Sequence, residues 1–438
     1  MKARAIVLAV AAVSAALVVL LGSPLGVETR ATTGTQSSVD VGALVEQFSS
    51  QSTGSVVARL ERDAEARPGD TRLLTLLGLG YLQRFRETGD PSWLGRADAA
   101  LGRLPAGSAD ALSLTAKAQL AVVQHRFRDA IPLARRAVRR DPGSAAALGV
   151  LGDALQETGR YREAFAVFDR MAMLGPSVGA YARVGFARRL RGRVDAAIDA
   201  FELALEAGSA IPEQTAWAEV QYGSLLLSRS RVDDAEAAYR RSLEASPGYV
   251  HARAGLARVA VVRGRFGEAA RRLQSVVASL PVPQYAILLG DVQRRAGRLR
   301  AAARTYDLVG TIERLFAAQG VRTDLQTALF DLDRNHAPAT ALARARAAYR
   351  EAPGVSAADA VAWGLVRVGR CREALTWSDR ALALGDADAL FLFHRGMAER
   401  CLGDAEAARS SMRRALALDP GFSVRFKPLA EAIAATRA

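Results

Sequence analysis

Lysine is almost missing from this 438-residue chain: Lys2, Lys117 and Lys427 are the only three. A phosphate-binding loop ends in GK[ST] because its lysine must reach the phosphates, and none of the three sits in such a loop. The same scarcity argues against Schiff-base and kinase chemistry. Cysteine is limited to Cys371 and Cys401, so no lipid-modified cysteine near the N-terminus is expected. Asparagine occurs once, as Asn335, and only 6% of residues are aromatic. Half of the chain is apolar and dominated by alanine and leucine, a composition that favours helices and disfavours a β-rich fold.

The formal charge of +14 is carried almost wholly by arginine. Arginine is scattered in pairs along many segments, and no dense basic tract with interleaved aromatics appears, so nucleic-acid binding is not expected. Binding of an anionic polymer through dispersed arginine stays open as an alternative.

Lys2 and Arg4 precede AIVLAVAAVSAALVVLL, an unbroken apolar run from Ala5 to Leu21. Its length lies where secretory signals and spanning helices overlap, and the following GSPLGVETR lacks a clear A-x-A cleavage site. Residues 1–27 are therefore expected to form an apolar signal anchor or a signal peptide. The positive start stays cytoplasmic and the rest is carried across the membrane. The expected location is the cell membrane, single-pass with the remainder extracytoplasmic, or secretion if the signal is cleaved. The Ser, Thr, Gly and Gln content of residues 28–55 reads as a flexible linker.

Beyond residue 56 the chain aligns on itself. Small or apolar markers fall at Gly78, Ala118, Gly152, Gly185, Gly223, Ala257, Gly290, Leu329, Ala362 and Gly396. A turn signature follows, as GRYREA at Gly159, GRVDAA at Gly192, GRFGEA at Gly264, GRLRAA at Gly297 and GRCREA at Gly369. The repeat near Thr323 has His336 where the turn glycine is expected. Small residues at the marker and after the turn let two helices approach closely, and the glycine between them ends the first helix in a left-handed conformation. Large apolar residues four and seven beyond the alanine, such as Phe168 and Met171, fall on one helical face. Prolines such as Pro142, Pro176, Pro247, Pro281, Pro353 and Pro420 end the units. One unit alone leaves an apolar face bare, so stacking is required.

This Gly/Ala…Gly…Ala…Phe/Tyr…Ala…Pro pattern, at a period near 34, resembles the tetratricopeptide repeat (TPR) family. The stretch AVAWGLVRVGRCREALTWSDRALALGDADALFLFHRGMAERCLGD is also similar to exported actinobacterial TPR proteins. The resemblance implies an all-α, right-handed α-α superhelical solenoid of about ten helix pairs over residues 56–420, completing about one superhelical turn. A C-terminal capping helix over 421–438 closes the array. It implies a concave groove for other proteins or peptides, lined by Asp153, Gln156, Phe186, Arg189, Arg258, Asp291, Arg294, Phe330, Asp333, Trp363 and Arg400. A carboxylate clamp of lysines and asparagines is excluded by composition.

No enzyme chemistry stands out, and no catalytic residue or cofactor is expected. The one G-x-S-x-G match, GPSVG around Ser177, falls in a loop between helical units instead of a strand–turn–helix elbow. DLDRNH places Asp331, Asp333 and His336 within six residues, a metal site with a single nitrogen ligand or a helix-ending turn; the turn is the preferred reading. Cys371 takes a slot filled elsewhere by Tyr161, Val194, Phe266 and Leu299, so it is expected to be a buried free thiol, unbridged to Cys401. The expected function is a non-catalytic scaffold for protein–protein interaction at or outside the cytoplasmic membrane. An accessory subunit of a cell-envelope enzyme or transporter, with weak metal handling, is the alternative.

Overall fold

A computed structural model of the chain describes residues 52–436 apart from 106, 108, 109, 210, 386 and 387. The apolar run 5–21, and the linker as far as residue 51, lie outside the described residues. Among the described residues, no helix is long and apolar enough to cross a membrane. Regular structure there consists of 22 helices, with no strand.

The first helix, α1 (Thr53–Ala66), starts slightly inside the segment expected to be linker, capped by the Ser52 hydroxyl, which accepts from the Ser55 N–H. Ten antiparallel pairs follow. The first five are α2–α3 (Thr71–Thr88, Ser92–Gly102), α4–α5 (Ala111–Val123, Phe127–Arg140), α6–α7 (Ala145–Glu157, Tyr161–Leu174), α8–α9 (Val178–Leu190, Val194–Ala207) and α10–α11 (Pro212–Ser228, Val232–Ala245). The second five are α12–α13 (Val250–Val262, Phe266–Ser279), α14–α15 (Pro283–Arg295, Leu299–Ala318), α16–α17 (Asp324–Arg334, Pro338–Glu351), α18–α19 (Val355–Arg367, Cys371–Ala381) and α20–α21 (Ala389–Cys401, Ala405–Leu418). A short α22 (Lys427–Ala434) ends the fold. The chain is thus an all-helical solenoid.

Within a pair, the marker glycine is a seat for an aromatic ring. A Cβ on Gly152 would lie 2.2 Å from Phe168, one on Gly185 2.8 Å from Phe201, and one on Gly290 2.2 Å from Tyr306. Pairs two to ten close their turn alike, with a left-handed residue and then an N–H that reaches back five residues; pair eight adds a second left-handed residue, Ala337 at φ 41°. Arg160 donates to the Leu155 carbonyl at 2.8 Å, and Arg370 to that of Leu365 at 2.9 Å. Glycine holds the left-handed slot at 159, 192, 264, 297, 369 and 403, but His125, Ser230 and Asn335 hold it in three pairs. The expectation that His336 takes the slot is corrected by one residue. Asn335 adopts φ 55°, which asparagine tolerates best after glycine, and the His336 N–H makes the returning bond to Asp331 at 2.9 Å.

The array winds more tightly than one turn in ten repeats. The turn inside pair one meets the link between pairs six and seven, where a Cβ on Gly89 would lie 1.7 Å from Leu280. In pair two, the Gln124 amide donates to the Gln319 carbonyl at 3.1 Å, and His125 Nδ1 lies 2.6 Å from the Arg322 carbonyl. In pair three, the Val355 N–H donates to the Tyr161 hydroxyl at 2.8 Å. In pair four, Gly385 sits against the Arg191 carbonyl. The turn of pair n therefore always faces the link between pairs n+5 and n+6, so the chain returns onto itself after about five and a half pairs. Ten pairs make almost two turns, and a seam runs where one turn lies on the next.

The tight winding buries the first helices on nearly all sides; every residue from Ala147 to Gln156 on α6 is buried. Opposite walls also meet. Arg86 on α2 forms an ion pair with Glu213 on α10 at 2.8 Å, and Glu213 accepts from the Tyr249 hydroxyl at 3.1 Å.

Candidate functional site

The expected groove residues separate into two places. The first is the inner face of the last four pairs, which the chain's own C-terminal segment fills. Phe422 is fully buried, and Phe426 stacks on Phe393 at 4.8 Å and meets Trp363 edge-on at 5.7 Å. Beside it, Arg425 Nε donates to the Asp333 carbonyl at 2.9 Å and Nη1 lies 3.5 Å from an Asp291 carboxylate oxygen. Trp363 Nε1 donates to the Asp333 carboxylate at 3.0 Å. Arg334 ion-pairs with Asp291 at 3.2 Å and lies 4.0 Å over the Phe330 ring. Asp291, Phe330, Asp333 and Trp363 are thus brought together, around an internal Arg-Phe dipeptide. Burial pushes the Asp333 carboxyl up, and His394, Arg334 and Arg425 pull it back. The strongest polar and aromatic anchors of this face are engaged within the chain.

Gln156 and Arg189 go to the second place, a cleft of about 90 Å³ on the seam. His125 and Phe127 of pair two, Gln156, Glu157 and Tyr161 of pair three and Arg189 of pair four form one wall. Arg322, Leu325, Gln326, Glu351, Val355 and Phe391 from the later turn form the other. Burial pushes the Glu157 carboxyl up to about 8; Asp153 adds to the rise and the Gln156 amide offsets part of it. Burial lowers the His125 imidazole below its usual value.

The remaining candidates join neither place. Asp153 is fully buried and holds the Arg183 guanidinium through two bonds, at 2.8 and 2.7 Å. Phe186 is buried between Phe201 and Trp217, so neither residue presents a face to a partner. Arg258 is half-buried with Nη1 3.4 Å from the Ser224 hydroxyl, while Arg294 and Arg400 are exposed. In a superhelix this tight, the inner helices touch one another and the tail, and the expected groove residues fall in separate places. Sequence reasoning missed Arg183, Arg425, Phe426 and the seam residues His125, Glu157 and Gln326. Phe422 and Phe426, four apart just after Pro420, carried the one signal for a buried tail.

The cysteines also differ from expectation. Cys371 is buried as expected, but it is bonded to Cys401, with Cα atoms 6.0 Å apart. The slot at the start of α19 lies against the end of α20 in the next pair, within bridging reach. Ser177 caps α8, its hydroxyl accepting from the Ala180 N–H at 3.3 Å. His394 is wholly buried, stacked 4.3 Å from Trp363 and 2.9 Å from the Asp359 carboxylate. Asp331 is held by Arg344 at 2.8 Å and by His336 at 3.2 Å. Among the described residues, no group of three or more His, Cys, Asp or Glu side chains is placed to hold a metal ion.

Family comparison agrees with this architecture. A tetratricopeptide repeat family model matches residues 115–178, 187–250 and 360–421, and a second of the same description matches 226–292. Together they span more than half of the chain, which belongs to the tetratricopeptide repeat family. No curated protein matches the sequence. Among solved structures, the chain is similar to the crystal structure of the APC/C hetero-tetramer Cut9–Hcn1, at 14% identity and a TM-score of 0.50. That match covers 90% of this chain and 68% of the other. Yeast Tom70 matches at 13% identity and a TM-score of 0.38, over 90% and 88% of the two chains. PilW, a type IV pilus biogenesis factor, matches at 20% and 0.39, over 48% and 97%. Repeats of this family mediate protein interaction, and their fold is typically a non-catalytic scaffold.

Proposed function

We propose that the chain is a non-catalytic scaffold that holds other proteins at or outside the cytoplasmic membrane, tethered by the apolar run Ala5–Leu21 as an N-terminal anchor helix. The observation that carries the reading is the inner face of the last four pairs. There, the Asp291 carboxylate, the Asp333 carbonyl and the rings of Trp363 and Phe393 hold a polypeptide segment through one arginine and one phenylalanine. A partner segment with the same basic–aromatic chemistry is the kind of ligand such a face suits, and it binds there by displacing the chain's own Arg425 and Phe426. The Cys371–Cys401 bridge supports an oxidising compartment, where disulfides persist. So does the charge pattern of the N-terminus, with Lys2 and Arg4 ahead of the apolar run.

The deciding experiment is a pull-down of the full chain from solubilised membranes, with protease treatment of intact spheroplasts alongside. Specific partners lost on Asp291→Ala plus Trp363→Ala, together with digestion of the repeats from outside, are the expected results. Full protection of the repeats would overturn the proposed location, and an unchanged partner set in the double variant would overturn the proposed face.

A further inference from the structure

The seam cleft carries an electrostatic vacancy that the fold does not explain. Glu157 is the last residue of α6, so its carboxyl sits at the negative end of a helix as well as between two superhelical turns. It is half-buried and lines the cleft. Among the described residues it has no ion-pair partner, and a carboxyl enclosed without a cation stays protonated near neutrality.

The groups around it ask for the same thing. His125 Nδ1 faces the Arg322 carbonyl, which can only accept, so Nδ1 carries the proton and Nε2 presents a bare lone pair. That Nε2 is buried and has no partner. The amide oxygens of Gln156 and Gln326, one from each turn, are likewise buried without a donor. The residues that carry these three enclosed acceptors line the same cleft as Glu157, and its other walls are Phe127, Leu190, Val355 and Phe391. Of the cations lining the cleft, Arg322 is tied to Glu351 at 2.7 Å. A void of about 90 Å³ exceeds the ~10–15 Å³ one water needs. The chain cannot fill the cleft with an ammonium of its own from nearby, for among the described residues it has only Lys117 and Lys427, and Lys427 is bound to Glu431 and the Pro420 carbonyl.

We propose that the seam cleft is a binding site for an aliphatic primary ammonium group, either a lysine side chain of a partner or a free polyamine. Glu157 is its counter-ion, Gln156 and Gln326 are its neutral hydrogen-bond acceptors, and the apolar walls take the methylene stem. The site is separate from the tail-filled inner face and does not rest on the scaffold reading. Because the ligand touches residues of both turns, its binding clamps the seam.

The charged and titratable groups around Glu157 are Asp153 on its own helix, His125 in the turn of pair two, Tyr161 on α7, Arg189 on α8, and Arg322, Asp324, Glu351 and Asp388 across the seam. Asp153 is neutralised by Arg183 and Glu351 by Arg322. Binding of a cation therefore ionises Glu157 itself, releasing on the order of one proton per ligand at pH 7.

The test is isothermal titration of the full chain with Nα-acetyl-lysine methylamide and with spermidine, repeated in buffers of different ionisation enthalpy. The Nε-acetylated lysine probe is the uncharged control. Saturable one-site binding with proton release, weakened at least about tenfold by Nε-acetylation and by Glu157→Gln, is the expected result. Gln326→Leu, which removes an acceptor from the other turn, is the second variant and should weaken binding several-fold while leaving the proton release in place. Binding of the lysine probe alone assigns the site to a protein side chain, and binding of spermidine alone assigns it to a free polyamine. No saturation by either probe, or binding unaffected by both variants, overturns the proposal.

Discussion

Replacing Gly159 by alanine tests the seam directly. The residue has φ 73°, and a Cβ there would lie 2.5 Å from the Pro353 carbonyl oxygen, a backbone atom on the neighbouring turn. Gly264 is the matching control. It occupies the same slot three pairs later with φ 75°, and nothing lies within 4 Å of its Cβ. Alanine at Gly264 carries only the left-handed conformational penalty, ~1–2 kcal/mol. Alanine at Gly159 carries that penalty plus an overlap that no side-chain rotation can relieve, a further ~1–3 kcal/mol by the usual cost of overpacking. The relief available is to part the seam, which strains the Val355-to-Tyr161 hydrogen bond, itself worth ~1 kcal/mol net. Urea titration of both variants should show Gly159→Ala losing more by at least ~1 kcal/mol. Hydrogen exchange should show faster exchange at the Val355 amide in that variant alone. Equal losses in the two variants, with Val355 protection unchanged, would mean that the turns do not meet in solution, and the reasoning fails.

Three further outcomes are expected. Reduction of Cys371–Cys401, which spans a separation of 30 residues, should lower stability by up to ~3.5 kcal/mol on the loop-entropy estimate, with exchange rising first in the last two pairs; no shift in the urea midpoint with reductant contradicts this. Asp153→Ala should lose ~3–5 kcal/mol because it strands the buried Arg183 guanidinium, whereas Asp153→Ala with Arg183→Met should recover much of that in a double-mutant cycle. The His251 imidazole, whose Nδ1 faces the Tyr285 hydroxyl, is pushed by burial down to about 4. The unfolded chain takes up a proton below its ordinary value near 6.5 while the folded chain does not, so stability should fall by up to ~1.4 kcal/mol per pH unit between those values. His251→Leu should flatten that part of the profile, measured as urea midpoint against pH.

Much of the fold was legible because each repeat states its own local physics. The ring on Gly152, the left-handed Gly159 and the helix-ending Pro176 need only neighbours within one unit. Even the displaced turn at Asn335 was within one residue of its expected place. The candidate site was far less legible, because it depends on how many pairs make one turn. That number is a sum of small rotations between repeats, and no residue type announces it. Glu157 and Gln326 are 169 positions apart by number and share a cleft only because pair three lies on pairs eight and nine. The disulfide was lost for a related reason: Cys371 alone looks like one more apolar filler, and only the stacking of pairs nine and ten gives it a partner.

A helical array whose units touch only their neighbours behaves as a one-dimensional chain, able to nucleate anywhere and fray from either end. The seam removes that independence for this protein. Pair one cannot reach its final burial until pairs six and seven exist, and pair four waits for pairs nine and ten. Synthesis from the N-terminus therefore leaves apolar edges such as Leu280's future seat at Gly89 uncovered while the 191 residues from 90 to 280 are made. Loops this long must close before the seam rewards them, so folding is expected to be slower and more all-or-none than in an open array of equal length.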